Sequence, residues 1–329
     1  MTGHFVISLD YELHWGVFDH RSVNDYKENL ANANNVIERL IALSDSYGIK
    51  LTFATVGFLF AKDKAALIVY SPKSKPQYTN NKLNPYLYFD EIGNDEIDDP
   101  FHYASSMIDK INDNKNHEIG THTYSHYYCD EEGQNIIQFE EDILAAIHIA
   151  KSKGVNLESI VFPRNMVADT KYLEVSYKHG IKSYRGTEES YMYNIHPSNK
   201  KYNWLLFRLL RILDCYVNIT GNNTYALEEL YVESKIINLP SSRLLRPYYS
   251  IIKFLEPLKI RRIKKGMRRA ARKNELFHLW WHPHNFGKNI DENFKNLEKI
   301  FKEFERLNKN YKFKSETMTS LTNKLHNSG

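Results

Sequence analysis

Alternation between apolar runs and amphipathic segments is the feature that most restricts the fold of this 329-residue chain. The run HFVISL at 4–9 has the composition of a buried strand, and residues 25–47 follow it with apolar side chains at helical spacing. The same order recurs, with further strands predicted at 50–60, 159–165, 181–186, 234–242 and 276–283. Strands that alternate with helices form parallel βαβ units, so the sequence predicts an α/β fold.

The chain shows no linker-like segment that would divide it. About six or seven βα units follow one another, which favours one barrel domain over 1–329 rather than two separate domains. Three segments are expected to be insertions: an irregular one at about 67–100 and helical ones at about 200–233 and 249–273.

Cysteine content and the amino terminus restrict the kind of protein further. Cys129 and Cys215 are the only cysteines in the sequence, so any bound metal must be held by histidine and carboxylate. The start, MTGHFVISLDYELHWG, has no basic region followed by an apolar one. No run reaches the roughly 18 apolar residues of a membrane-spanning helix. We therefore expect a cytoplasmic protein.

Polar side chains stand where several predicted strands end. Reactive groups of parallel α/β proteins gather at the carboxyl ends of the strands. The residues in question are Asp10, Glu12, His122, His126, Arg164, His282 and His284. Their recurrence at successive strand ends predicts one site at that edge of the sheet.

The stretch HTYSH at 122–126 carries two histidines four residues apart. On a helical turn, residues at this spacing share one face, with Cβ atoms about 5–6 Å apart. Two imidazoles so placed can bind one cation at roughly 2.0–2.1 Å. The alternative is a pair of surface histidines without a ligand.

Four short motifs in this order resemble those of the polysaccharide deacetylases with a NodB-homology domain, carbohydrate esterase family 4. They are SLDYE (8–12), HTYSH (122–126), FPRN (162–165) and LWWHP (279–283). The resemblance spans roughly residues 4 to 310. It implies a distorted, incomplete (β/α) barrel of about seven parallel strands, and a metal-dependent hydrolase that removes acetyl groups from N-acetyl sugars.

The resemblance also implies roles for individual residues. Asp10 corresponds to the general base, and Glu12, His122 and His126 correspond to the ligands of one divalent metal. Zinc suits these ligands, and Co²⁺, Ni²⁺, Mn²⁺ or Fe²⁺ would also be accepted. One departure is that Tyr11 separates the two acids, which are adjacent in most members of the family.

Two further roles come with open alternatives. Arg164 is expected beside Asp10, keeping it ionised. His282 is expected to protonate the departing amine, with His284 as a rival. The Asp-Trp motif that orients this histidine in many relatives is missing near 234–240, where Asn238, Ser241 and Ser242 stand instead. The residues predicted to contact substrate are His14, Trp15, Asn165, Trp281 and His284.

Basic residues are concentrated in one segment of a chain whose net charge is +4. KIRRIKKGMRRAARK at 259–273 has nine Lys or Arg and no acid. It forms either a solvated barrel helix or a surface for an anionic membrane or a pyrophosphate group. The apolar WLLFRLLRIL at 204–213 favours peripheral attachment to the inner face of the membrane. No feature indicates nucleic acid.

The sequence therefore predicts a carbohydrate N-deacetylase. The missing signal peptide favours a precursor of a surface polysaccharide, carried on a nucleotide or a lipid, as the substrate. The alternatives are a small or cyclic amide hydrolase on the same fold and a catalytically inactive glycan-binding relative.

Overall fold

A computed structural model describes residues 2–167, 169–193, 204–230 and 235–327. The strands are β1 (His4–Tyr11), β2 (Thr52–Thr55), β3 (Glu118–Thr121), β4 (Ser159–Ile160), β5 (Ser183–Tyr184), β6 (Tyr225–Ala226), β7 (Ile237–Asn238), β8 (Arg243–Leu244), β9 (Glu275–Trp281) and β10 (Lys314–Glu316). The helices are α1 (Val23–Ala31), α2 (Ala33–Ser46), α3 (Lys64–Tyr70), α4 (Ser105–Asp113), α5 (Ile136–Ser152), α6 (Thr170–Lys178), α7 (Trp204–Asp214), α8 (Glu256–Lys273), α9 (Ile290–Tyr311) and α10 (Met318–His326).

Seven parallel strands follow one another in the sheet, in the order β9-β1-β2-β3-β4-β5-β7. Strand β10 adds to β1 and β8 adds to β9, both in parallel, whereas β6 pairs with β9 antiparallel. This arrangement confirms the predicted distorted, incomplete (β/α) barrel of about seven parallel strands. The distortion lies in β4, β5, β7 and β8, each of which has only two residues in ladder conformation.

One segment spans the two ends of the curled sheet. In the first half of this segment, residues 237–244, Leu239 N–H donates to the carbonyl of Tyr184 in β5. Three residues later, Ser242 N–H donates to the carbonyl of His278 in β9. Residues 237–244 therefore hold both edges together by backbone hydrogen bonds.

The two faces of β1 serve different cores, because side chains alternate along a strand. Phe5, Ile7 and Leu9 pack in the main core with the surrounding helices. Val6 packs in a second, smaller core with residues of other strands and of α10. Ser8 and Asp10 continue the same face as Val6. The period of two therefore directs Asp10 to the interior side of the barrel.

Several element boundaries differ from those predicted. Residues 25–47 form two helices, which meet at Asn32. The strand predicted at 50–60 ends at Thr55, and the one predicted at 159–165 ends at Ile160. In both cases a tight 3₁₀ turn follows. The turn after β2 is apolar and buried, whereas the turn after β4 carries Arg164 and Asn165.

The basic segment is the helix α8, which connects the parallel neighbours β8 and β9. Much of its charge is paired. Arg262 contacts Asp214 at 3.2 Å, Arg268 contacts Glu303 at 2.8 Å and Arg269 contacts Glu275 at 3.1 Å. Arg261 and Lys265 are exposed and have no ion pair among the described residues. Among the helices of the described ranges, we find none whose length and apolar character would let it cross a membrane.

Candidate metal centre

Glu12, His122 and His126 converge behind the ends of β1 and β3. Oε1 of Glu12 lies 3.1 Å from Nε2 of His122 and 3.6 Å from Nε2 of His126. All three residues are buried. Metal bonds of 2.0–2.2 Å in a tetrahedral site place ligand atoms roughly 3.3–3.5 Å apart. The spacing of these three ligand atoms therefore suits a single cation.

The histidine pair does not lie on a helical turn, so that part of the prediction is wrong. Residues 122–126 form a loop in which Thr123 and His126 have left-handed backbone angles, with φ of 64° and 56°. The ring centroids of His122 and His126 are nevertheless 5.0 Å apart. The loop, not helical periodicity, brings the two imidazoles together.

Asp142, on the buried face of α5, holds this loop in place. Its carboxylate accepts hydrogen bonds from the backbone N–H of Tyr124 at 2.7 Å and of Ser125 at 3.2 Å, and from the hydroxyl of Ser125. A buried carboxylate with two backbone donors fixes the backbone between the two histidines. The sequence signal was an acid between Phe139 and Ile143 on the apolar side of a helix.

The donor atoms fit a metal as well as their spacing does. Nδ1 of His122 lies 2.7 Å from the carbonyl of Val161, which assigns its proton to that nitrogen. Nε2 of His122 is buried and makes no hydrogen bond to any residue that the structure describes. An imidazole held in this tautomer presents a lone pair beside the Glu12 carboxylate, as a metal ligand does.

Gly16 makes room for the Glu12 carboxylate. A Cβ atom at position 16 would lie 1.5 Å from Oε2 of Glu12, so no side chain fits there without moving Glu12. The turn after β1 therefore packs directly against this carboxylate.

Arg185, not Arg164, lies beside Asp10. The Arg185 guanidinium makes two hydrogen bonds of 2.7 Å to the two carboxylate oxygens of Asp10. Arg164 stacks on Tyr128 at 4.2 Å and forms an ion pair with Glu131. The prediction that Arg164 lies beside Asp10 is therefore wrong. Arg164 and the residue after it have left-handed backbone angles, which belong to the tight turn after β4.

Arg185 is held on all sides. It donates to Oγ of Ser8 at 2.8 Å, and its Nε and Nη2 donate to Oδ1 of Asn165 at 2.9 and 2.7 Å. Its guanidinium also lies 4.2 Å from the centre of the Trp280 ring. The Asn165 side chain, predicted to contact substrate, is engaged with this arginine. Arg185 could have been identified from the sequence, because it follows β5 directly and reactive groups gather at the carboxyl ends of parallel strands.

Two histidines follow β9, and they differ in exposure. Nε2 of His282 lies 3.5 Å from Oε1 of Glu12 and 3.8 Å from Oδ2 of Asp10, and about a quarter of its side chain is exposed (26%). His284 is buried against Tyr26. The geometry thus places His282, not His284, at the carboxylates. Nδ1 of His282 has no hydrogen-bond partner in the described part of the chain, and the side chain of Asn238 accepts instead from Gly186 N–H at 3.0 Å.

Three other residues predicted to contact substrate are buried. Nδ1 of His14 lies 2.8 Å from Nε2 of His102, and Nε1 of Trp15 donates to the His102 carbonyl at 2.9 Å. Trp281 stacks on Phe286 in the main core. The predictions for Trp15 and Trp281 are therefore wrong, because both side chains are fully buried in the main core. His14 lines a surface cavity with Phe18 and His102, and its contact with substrate stays a prediction.

The charges of the site favour an ionised base and a protonated histidine. Burial alone raises the pKa of Asp10, but the charges of Arg185 and His282 outweigh it and hold this pKa below its ordinary value. Burial lowers the pKa of His282, whereas the Glu12 and Asp10 carboxylates reverse this and raise it above its ordinary value. Burial and the neighbouring His282 lower the pKa of His284 to about 3, so His284 stays neutral.

Comparison with known proteins gives fold likeness without sequence likeness. No protein-family model and no curated protein matches the sequence. A structure described as a polysaccharide deacetylase from Mycobacterium smegmatis superposes with a TM-score of 0.60 at 11% identity, covering 100% of this chain and 92% of that chain. An allantoinase gives 0.52 at 11% identity, covering 99% and 90%. A branching enzyme from the hyperthermophilic archaeon Pyrococcus horikoshii gives 0.54 at 12% identity, covering 98% and 70%.

The chain therefore has the fold of the polysaccharide deacetylases, the NodB-like barrel of carbohydrate esterase family 4. At identities this low the likeness defines the fold, and a fold alone does not define an activity. The residues of the site have to carry the functional argument.

Proposed function

We propose that this protein is a metal-dependent hydrolase that removes an N-acetyl group from a sugar of a surface-polysaccharide precursor, carried on a nucleotide or a lipid. One observation carries the proposal. The Glu12, His122 and His126 ligand set lies directly beside a carboxylate held by Arg185 and a histidine, His282, that reaches both acids. Metal ligands, a base and an acid at one point are the parts that amide hydrolysis requires.

In this proposal Glu12, His122 and His126 hold one divalent cation, zinc or another metal with similar ligand preference. Such a cation lowers the pKa of water and stabilises negative charge on an amide carbonyl oxygen. The chain itself supplies the proton transfers. Asp10 takes a proton from the attacking water, whose oxygen forms the new bond to the acyl carbon. His282 gives a proton to the amine nitrogen as the C–N bond breaks, leaving acetate and an amino sugar.

Two observations support an enzyme over an inert glycan-binding relative. Asp10 is held in a bidentate contact by a buried arginine, which maintains its charge in a site where burial alone opposes it. His282 is partly exposed, so it can reach a substrate. A binding protein needs neither a charged base nor an accessible acid beside the ligand set.

A cyclic amide hydrolase is the second candidate, because an allantoinase shares the fold. The cleaved bond is again an amide C–N bond, and the same residues would serve. Acetate release from N-acetyl sugars, compared with ring opening of cyclic amides, separates the two candidates.

The first test is the metal content of the purified protein and of a His122→Ala, His126→Ala double variant. We expect near-stoichiometric divalent metal in the parent and its loss in the variant, together with loss of acetate release. A His117→Ala, His179→Ala variant is the control, because these histidines contact Asp45 and Glu140 away from the site. Equal metal content in parent and site variant would contradict the proposed centre.

A further inference from the structure

The helix α7 exposes several of its leucine side chains to solvent. Leu205, Leu209 and Leu213 lie along one stripe at i, i+4 and i+8, and 66%, 53% and 51% of their surface is exposed. Asp214 at the end of the same helix is fully buried. A helix that directs leucines to solvent and an acid to the protein loses free energy unless another surface covers the leucines.

Buried polar contacts hold α7 in this orientation. The Asp214 carboxylate accepts from Arg243, from Arg262 at 3.2 Å and from the backbone N–H of Thr220 at 2.9 Å. The Arg211 side chain donates to the carbonyl of Met192 at 2.7 Å. Rotating α7 to bury its leucines would remove these charges from their partners, so the exposed stripe is fixed by the fold.

A second apolar stretch lies next to the helix. Ile251 and Phe254, in the turn before α8, are 89% and 71% exposed. The stretch and α7 are neighbours, because Arg246 Nε contacts Cys215 Sγ at 3.3 Å and Arg262 of α8 contacts Asp214. Exposed large apolar groups on adjacent elements are rare in proteins that stay free in solution, and they indicate an interaction surface.

The charges around this surface are cationic. Arg208 in α7 and Lys253 in the turn before α8 are exposed, and neither has an ion pair within the described ranges. The nearby acids Asp214 and Glu256 are buried against their own cationic partners. A second copy of this chain would bring like charges together, whereas an anionic bilayer would neutralise them.

We infer that the exposed stripe of α7, together with residues 249–258, docks on the surface of an anionic lipid bilayer. Leucine, isoleucine and phenylalanine side chains enter the boundary of the acyl chains while the arginines and lysines contact lipid phosphates. The contact is thus centred on α7 and the turn before α8, and not on the basic segment 259–273. It does not depend on the proposed deacetylase activity.

The geometry connects this surface with the candidate metal centre. A cavity of about 320 Å³ is lined on the α7 side by Arg211, Cys215 and Arg246. On its other side are Asn165 and Trp280, which contact the arginine that holds Asp10. A protein docked through α7 would therefore place this cavity close to the bilayer. Together with the proposed function, on which this point alone rests, that position favours a lipid carrier over a nucleotide carrier for the sugar.

The test is sedimentation of the full chain with phosphatidylcholine vesicles, with and without phosphatidylglycerol, at low and high salt. We expect binding to the vesicles that contain phosphatidylglycerol, weakened by salt. A Leu209→Ser, Leu213→Ser variant should bind at least about tenfold more weakly, because two inserted side chains are lost. An Arg208→Gln, Lys253→Gln variant should also lose about tenfold or more in affinity, since each cation near the surface contributes about fivefold.

Matched variants elsewhere serve as controls. Ile68→Ser, Val69→Ser removes two exposed apolar side chains of α3, and Lys295→Gln, Lys309→Gln removes two exposed cations of α9. Both should bind vesicles like the parent, and all variants should keep the parent's metal content and circular dichroism. Failure of the deacetylase assay would leave this result unaffected.

Two outcomes would overturn the inference. One is binding to phosphatidylglycerol vesicles that the Leu209→Ser, Leu213→Ser variant leaves unchanged. The other is no binding to these vesicles at low salt, whether the protein is then a monomer or a dimer that the same variant dissociates. Such a dimer would assign the surface to a second copy of the chain.

Discussion

At the scale of single residues, the contact between Asp10 and Arg185 decides whether the site can contain a charged base. A buried carboxylate is disfavoured by desolvation, and a bidentate guanidinium restores its charge. Ser8, Asn165 and Trp280 in turn keep the arginine from turning away. The ionised state of Asp10 therefore depends on the cluster of residues around Arg185.

We expect Arg185→Ala to lower kcat/KM for acetate release by at least about 100-fold, the usual contribution of a general base. Without the guanidinium, burial raises the pKa of Asp10, so the acidic limb of the pH–rate profile should move to higher pH. Arg185→Lys should recover only part of the activity, because lysine cannot form the bidentate contact.

Arg164→Ala is the matched control for this experiment. Its side chain contacts Tyr128 and Glu131 and not Asp10, so kcat should change little and the acidic limb should stay in place. The contact of Arg185 with Asp10 would not explain the activity if Arg164→Ala lost as much activity as Arg185→Ala. The same holds if only Arg164→Ala shifted the acidic limb of the pH–rate profile.

At the scale of elements, the ligand loop after β3 depends on the helix α5 behind it. Burial raises the pKa of Asp142 to about 7, although its hydrogen bonds to residues 124 and 125 act in the opposite sense. The folded state thus binds this proton more tightly than the unfolded chain, in which the pKa is near 3.8. The stabilisation is complete below pH 3.8 and is lost as the pH rises through about 7.

We therefore expect Asp142→Asn to change the pH dependence of stability. Between pH 5 and pH 8 the parent should lose on the order of 1–3 kcal/mol of unfolding free energy that the variant does not lose. Urea unfolding at both pH values measures this difference. Asp113→Asn, an exposed acid on α4, should follow the parent. Parallel pH dependences of the parent and Asp142→Asn would contradict the explanation.

At the scale of the whole molecule, the interior of the barrel encloses a buried, neutral histidine side chain, that of His278. Nδ1 of His278 lies 2.9 Å from the Leu239 carbonyl, and Nε2 lies 2.8 Å from Oγ of Ser8, which joins the β9 edge to β1 and to residues 237–244. Burial lowers the pKa of His278 to about 3. The free energy needed to protonate this ring thus depends on its burial inside the closed barrel.

Lowering the pH should therefore lower the free energy of unfolding, because the unfolded chain binds a proton at His278 more tightly than the folded protein does. Its folded pKa lies below the unfolded value of 6.5, so its contribution to stability is complete above pH 6.5 and is lost as the pH falls toward 3. Below pH 6.5 the parent should lose up to about 1.4 kcal/mol per pH unit through this one group. His278→Gln should be less stable at neutral pH and should show a flatter acid limb in urea unfolding. An equally steep limb would contradict the prediction.

The sequence by itself determined the parallel α/β architecture and the three residues of the candidate metal centre. Both follow from local information: periodicity defines a strand or helix, and the ends of parallel strands share one edge. The sequence could therefore predict that Glu12, His122 and His126 lie close together, although the helical turn predicted for the two histidines was wrong.

Tertiary structure alone decided which arginine meets Asp10 and which way α7 faces. Asp10 and Arg185 are 175 positions apart in the sequence. Arg164 is nearer to Asp10 in the sequence, but its left-handed turn directs its side chain toward Glu131. Likewise, the buried Asp214 network overrides the preference of leucines for the interior. Contacts between distant segments depend on how the elements pack, and periodicity along the chain contains no information about such contacts.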